Sequence, residues 1–291
     1  MKLRDLTILM MICLIWAFNI VSGAKGMQQF SPLVFMIGRF ALVLTFTLPF
    51  LRFPPPGQWP RMVAAALSIG ALHFCFLFWA LQRSGDVSSV AIIIQTYIPM
   101  AVLLAVVMLG ETIGWRSLLA IGLAFTGVLI LGFDPHVLSH PTALTLALLS
   151  AFFQALGSIF IRGIVGVSPM NFQAWTAIIS LPVLLLLSLL LDTGQLQSLQ
   201  TAAPLHWASI AYSAIGASVA GHGLFFYMAQ RHPITTIMPY LLMMPLFAVM
   251  FGVLVWGDEP GWRLLLGGAL VLIGILAITL RTRIKVERIL R

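Results

Sequence analysis

Ten apolar runs separated by short breaks dominate the chain: residues 5–23, 31–51, 62–82, 87–109, 115–132, 141–161, 170–191, 205–228, 234–256 and 262–281. Each approaches the ~20 residues that a helix rising 1.5 Å per residue needs to cross roughly 30 Å of hydrocarbon. The breaks are punctuators such as Arg52-Phe53-Pro54-Pro55-Pro56-Gly57, Arg83-Ser84-Gly85-Asp86, Asp134-Pro135-His136 and Arg231-His232-Pro233, too short to hold a soluble domain. The expected fold class is an all-α polytopic membrane protein with ten transmembrane helices. Composition agrees: 60% of residues are hydrophobic and 8% charged, where a water-soluble globule carries about 25% charged residues.

Lys2, Arg4, an apolar stretch and Ser22-Gly23-Ala24 imitate a cleaved signal peptide. The run from Leu6 to Val21 is long for a signal core, and its removal would destroy the repeat described below, so it is read as the first span. Cys13 and Cys75 lie inside apolar runs, which fits small buried side chains and suggests no disulfide framework.

The net charge of +8 would suggest a nucleic-acid partner in a soluble domain, but here the bases are single residues between apolar runs plus a short tail. They report topology, because cytoplasmic loops collect Lys and Arg. With the N terminus inside, one side receives twelve bases, among them Lys2, Arg4, Arg52, Arg61, Arg116, Arg162 and Arg231. The other side receives Lys25, Arg83 and Arg263, and Arg39 lies within the second span. Ten helices with both termini cytoplasmic satisfy that count.

The sequence also repeats. Gly110, Gly114, Trp115, Arg116, Leu118, Leu119, Gly127 and Leu129 recur 147 positions later as Gly257, Gly261, Trp262, Arg263, Leu265, Leu266, Gly274 and Leu276, with Glu111 matched by Asp258. "FWALQR" from Phe78 recurs 148 positions later as "FYMAQR" from Phe226. Two matches in one order at nearly one offset indicate a duplicated five-helix unit, residues 1–135 and 136–291. Five is odd, so the halves cross the membrane in opposite senses. Inverted repeats are a recurrent architecture of secondary transporters, which bind substrate near the midplane and expose it to each side in turn.

Ten helices, "IWAFNIV" in the first span, "GRF" at Gly38-Arg39-Phe40, "LGE" at Leu109-Gly110-Glu111 and "WGDE" from Trp256 together resemble the EamA family of the drug/metabolite transporter superfamily. The resemblance covers essentially the whole chain. It implies a bacterial inner-membrane exporter of small metabolites, chiefly amino acids and their derivatives, whose cavity is lined by the first, third, fourth, sixth, eighth and ninth helices. In such relatives the sixth helix often repeats the Trp and Asn of the first; the equivalent positions here are Gln154 and Ser158, so the halves are expected to contribute unequal polar groups.

Arg39 is the one charge well inside an apolar span, where a charge faces the bundle interior or a wet cavity. It is expected either to bind a substrate carboxylate or to serve structure by pairing with Asp86, Asp258 or Glu259 or with carbonyls. Pro99 in the fourth span and Pro239 and Pro245 in the ninth break corresponding helices, the pattern that points to a transporter's site. Gln95 and Tyr97 beside Pro99, and Tyr240 beside Pro239, add polar tips. Trp16 and Asn19 share a helix face and are read either as cavity wall and amide or as packing and interhelical glue. His73 and His222, one residue off the repeat alignment, either titrate in a proton-coupled cycle or are satisfied by a neighbouring helix. Glu111, Arg116, Asp258 and Arg263 are helix-end residues that could act as gates. The small-residue string Gly216–Gly221 and Gly267, Gly268 and Gly274 read as close-packing devices.

His136 and His140, four apart near Asp134, have metal-like spacing, but Pro135 and Pro141 make a loop and no metal is expected. Walker, dinucleotide and Ser/His/Asp or Cys/His signatures do not occur, so neither an enzyme nor a cofactor is expected. The expected partners are a small-molecule substrate and the lipid bilayer, with no nucleic acid. Exchange of nucleotide sugars or other anionic metabolites is the transport alternative, disfavoured because Arg39 is the lone intramembrane base. A non-transporting accessory protein is the alternative of another class. Substrate, coupling ion and oligomeric state have no sequence signature.

Overall fold

The computed structural model describes residues 2–84, 90, 93–132, 141–251, 254, 262, 266–274, 276 and 277. Among them regular structure is entirely helical, with six helices long and apolar enough to cross a membrane and three shorter apolar ones. The helices are α1 (Leu3–Gly26), α2 (Pro32–Thr47), α3 (Trp59–Ala65), α4 (Phe74–Ser84), α5 (Tyr97–Leu109), α6 (Trp115–Gly132) and α7 (Pro141–Arg162). They continue as α8 (Pro169–Leu191), the short α9 (Gln195–Gln200), α10 (Pro204–Ala211), α11 (Gly223–Arg231), α12 (Ile234–Leu241) and α13 (Met244–Phe251). Two π-helical stretches, Ala66–His73 and Tyr212–His222, join α3 to α4 and α10 to α11 without a break.

Sequence chemistry sets the ends. α2 and α8 both start with Ser-Pro: the Oγ of Ser31 accepts from Val34 N and that of Ser168 from Asn171 N, each at 3.2 Å. The proline that follows fills a position whose N–H would be unused. α5 stops at Gly110, whose φ of 65° is left-handed and whose N–H bonds back to the carbonyl of Ala105. α9, a short helix without buried residues, lies between the seventh and eighth spans and outside every expected one.

The contacts obey a two-fold pattern. α2 packs on α8; α1 packs on α13 as α5 packs on α7. α4 and the first π stretch lie on α7 as the second π stretch and α10 lie on α1. Each third-span segment therefore rests on the first helix of the other half, and the core belongs to both halves at once. Small residues permit the approaches. A Cβ on Gly127 would stand 2.6 Å from the carbonyl oxygen of Gly267, and one on Gly274 2.8 Å from that of Ala120, so α6 and the helical residues 266–274 meet backbone to backbone.

The outward surface is apolar. Leu185, Leu186 and Leu189–Leu191 of α8 project outward, Leu189 with 78% of its surface exposed; in lipid such residues need no cover. Trp59 and Trp175 meet edge to face at 4.6 Å beside Phe53, and Trp175 Nε1 donates to the carbonyl of Arg52 at 3.0 Å. Amphipathic rings next to basic residues suit the headgroup level.

Candidate functional site

A cavity of ≈ 130 Å³ lies where the two halves meet, about ten times what one water occupies. Its lining comes from α1 (Trp16, Asn19, Ile20, Gly23, with Met27 just beyond), α2 (Phe35, Arg39), the first π stretch and α4 (His73, Phe74, Leu77, Phe78), the fourth span (Ile94, Tyr97), α7 (Gln154), the second π stretch (His222) and α13 (Met244). Most of this surface is carbon. Asn19 Oδ1, Tyr97 OH and Gln154 Oε1 are buried yet have no hydrogen-bond partner among the described residues. Three orphaned polar atoms around one cavity are costly unless something inside it completes them.

Arg39 leaves 1% of its surface exposed. Its Nε donates to Ser218 Oγ at 2.6 Å, and Ser218 in turn donates to the carbonyl of Ser213 at 3.1 Å. The guanidinium carbon lies 4.3 Å from the centre of the Phe74 ring, a cation–π contact. Among the described residues no carboxylate pairs with it; Asp86, Asp258 and Glu259 lie outside them.

Both histidines have their tautomer fixed. His222 Nδ1 lies 2.8 Å from the carbonyl of Ala217, which can only accept, so the proton is on Nδ1. His73 Nδ1 faces the Ser150 carbonyl at 3.1 Å and its Oγ at 2.8 Å, and that hydroxyl donates to the His73 carbonyl at 2.9 Å. In the neutral rings this leaves Nε2 as the acceptor. Trp16 Nε1 donates to the same Ala217 carbonyl at 3.2 Å, and Gln173 Nε2 to that of Ser218 at 2.8 Å. The wider π helix thus serves as a rack of carbonyls for side chains of α1, α8 and its own turn.

The proline-bearing spans are broken in register. Helical residues 93–94 give way to a turn at Gln95 and Thr96 before α5, and α12 gives way at Leu242 and Met243 before α13. Those turns are 147 positions apart. The bonds match as well: Met100 N to the Thr96 carbonyl at 3.1 Å and Phe247 N to the Met243 carbonyl at 3.2 Å. Pro99 and Pro245 lack an N–H and crowd the carbonyl four residues back, which locates each break.

The description "EamA-like transporter family" matches residues 5–133 and again residues 141–280. The chain belongs to the EamA-like transporter family. Its relatives include a "probable amino-acid metabolite efflux pump" of Escherichia coli (strain K12), 26% identical over 94% of either chain, and one of Salmonella typhimurium, 27% identical with the same coverage. An uncharacterized transporter of Synechocystis is 27% identical over 89% of this chain and 83% of its own. A solved crystal structure superposes with a TM-score of 0.79 over 97% of this chain and 99% of the other at 16% identity, which shows the fold. This EamA protein is therefore a multi-pass inner-membrane transporter and not an enzyme.

Of the side chains singled out in the sequence, Trp16, Asn19, Arg39, His73, Tyr97, Gln154 and His222 line the cavity, while Gln95, Pro99, Ser158 and Tyr240 do not. Gln95 is fully buried with neither amide atom partnered among the described residues. Ser158 spends its hydroxyl on the carbonyl of Gln154 at 2.8 Å, and the Tyr240 carbonyl accepts from Cys13 Sγ at 3.6 Å. Pro99 acts through the break. The second helix, absent from the expected lining, joins it through Phe35 and Arg39.

Glu111 reaches across to the other half. Its carboxylate accepts from Ile234 N at 3.0 Å and from Thr235 N and Oγ1 at 2.9 Å, capping α12, with Arg162 Nε 3.8 Å away. Close by, His232 Nε2 lies 3.3 Å from Asp5, and Arg162 donates to the Gln230 carbonyl at 2.9 Å. Arg116 takes no part and rests over Trp115 at 5.1 Å; Asp258 and Arg263 lie outside the described residues. Sequence reasoning missed Ser218, hidden in a string of small residues read as packing, and the Phe74–Phe78 wall. The latter had a signal: Phe74 and Phe78, two aromatics four apart directly after His73, share one helix face.

Proposed function

We propose that the chain is a ten-helix exporter made of two oppositely oriented halves, residues 1–135 and 136–291, with both termini cytoplasmic. It carries amino acids or their derivatives outward by alternating access. The observation that carries this reading is the cavity: one space between the halves, lined by the first, third and fourth helices of each and by α2, with orphaned polar atoms and a buried guanidinium lacking a carboxylate partner among the described residues. Two efflux pumps of the family, each named for amino-acid metabolites, support the substrate class. A nucleotide sugar would need several bases around it, and among the described residues the lining offers Arg39 alone.

Glu111, Arg162 and the α12 N-terminus act as the inner gate. On this reading the ties at Asp5 and Glu111 hold the cytoplasmic side shut while the lining runs along α1 from Trp16 to Met27, toward the far side. Substrate loads when they part. Purified protein in liposomes should show saturable counterflow of an amino acid under low salt and neutral pH. Properly oriented, folded protein giving no counterflow across a panel of amino acids and their derivatives would remove this reading. Repeating the measurement under an imposed pH gradient separates proton antiport from facilitated release.

A further inference from the structure

We propose that the cavity selects a zwitterion with one apolar tail: the carboxylate meets Arg39, the ammonium donates to Nε2 of His73 and His222, and the side chain lies among aromatic rings. This rests on the export reading and names the features of the substrate that are read. Among the described residues the guanidinium spends Nε on Ser218 and has as its one further hydrogen-bond contact Met36 Sδ at 4.0 Å, so N–H groups are left to receive an anion bidentately. The two histidines have surrendered Nδ1–H to carbonyls, so each presents an acceptor, which an ammonium satisfies and a carboxylate does not.

The three groups gather around one ring. Phe74 has Arg39 over its face at 4.3 Å, His73 at 4.6 Å and His222 at 6.1 Å. Measured through that ring, the guanidinium carbon is at most about 9 Å from the centre of the His73 imidazole, which keeps both groups within reach of a single α-amino acid head group with a hydrogen bond of about 2.9 Å at each end. The rest of the wall, including Trp16, Phe35, Phe78 and Met244, has among the described residues no acidic residue to receive a basic tail and no second base for a dianion.

Calorimetric titration of the detergent-purified full chain tests this with leucine and phenylalanine, their deaminated acids 4-methylpentanoate and 3-phenylpropanoate, and the amine 3-methylbutylamine. Each amino acid should bind at least about tenfold more tightly than its acid or amine. His73→Asn and His222→Asn keep a donor toward the carbonyl and remove the Nε2 acceptor. They should weaken leucine about tenfold and leave 4-methylpentanoate unchanged, whereas Arg39→Gln should weaken both acids and spare the amine. The analogue series on the unmodified chain is decisive if a variant fails to fold. A deaminated acid bound as tightly as its parent, or no amino acid bound by folded protein, overturns the proposal. Binding without counterflow removes export and leaves the recognition; leucine counterflow inhibited equally by 4-methylpentanoate removes the recognition and leaves export.

Discussion

Replacing Glu111 with alanine should loosen the inner gate by a measurable factor. The carboxylate accepts three short hydrogen bonds from the first residues of α12. Bonds to a charged group contribute about 1.5–3 kcal/mol each where water cannot replace them, and a carboxylate at a helix N-terminus adds about 0.3–1 kcal/mol. When the gate parts, water rehydrates the donors, and the Arg162 contact at 3.8 Å is partly exposed and contributes little. A net loss of about 2–3 kcal/mol is reasonable for the closed state, which raises the open fraction about 30- to 150-fold. Cys13 is a native reporter: it lies about 12 Å along α1 from Asp5, is fully buried, and donates to the Tyr240 carbonyl of the helix that Glu111 caps. In a Cys75→Ala background, an impermeant thiol reagent applied to inside-out vesicles should alkylate Cys13 faster by that factor in Glu111→Ala, with Glu111→Gln intermediate. Folded Glu111→Ala protein with a rate within about twofold of its parent would refute the reasoning.

Three further outcomes follow from the packing. Gly127→Ala should lower the melting temperature by an amount corresponding to about 1–3 kcal/mol of overpacking, because its Cβ meets backbone, whereas Gly122→Ala on the same helix, with open space around it, should be neutral or slightly stabilising. A Cβ at Gly221 would lie 2.6 Å from Trp16 Nε1, so Gly221→Ala should displace that ring from the Ala217 carbonyl and weaken amino-acid binding in calorimetry while thermal unfolding changes little. Ser218→Ala strands a buried Arg39 N–H and should cost about 1.5–3 kcal/mol, read as a lower melting temperature that Ser218→Thr largely restores.

Much of the fold was legible because lipid narrows the choices. A backbone that must satisfy itself becomes helix wherever the apolar run is long enough, and the six helices long and apolar enough to cross a membrane fall on expected spans. Prolines are literal only in part: the missing N–H at Pro99 and Pro245 foretold two breaks that the structure sets 147 positions apart, whereas Pro239, expected to break the ninth span as well, sits inside α12 without ending it. Arg39 stood out because a charge in an apolar run is costly, and it does lie on the cavity. Ser158 and Tyr240 also appeared as polar atoms on promising helices, but hydroxyls and rings can be spent locally, as Ser158 does on its own helix. Periodicity does not reveal that choice.

The sequence alone determined that the chain is a helical membrane protein built from repeats, through run length, composition and a repeat offset, all of which act locally or along the chain. Tertiary structure decided which polar atoms were left over: that Ser218 would hold Arg39, that both histidines would give up Nδ1–H, and that Glu111 would cap a helix of the opposite half rather than meet Arg116. A hydrogen bond depends on the position of a partner about 3 Å away, and except for His222, which bonds within its own π helix, those partners lie 77 to 179 positions distant along the chain.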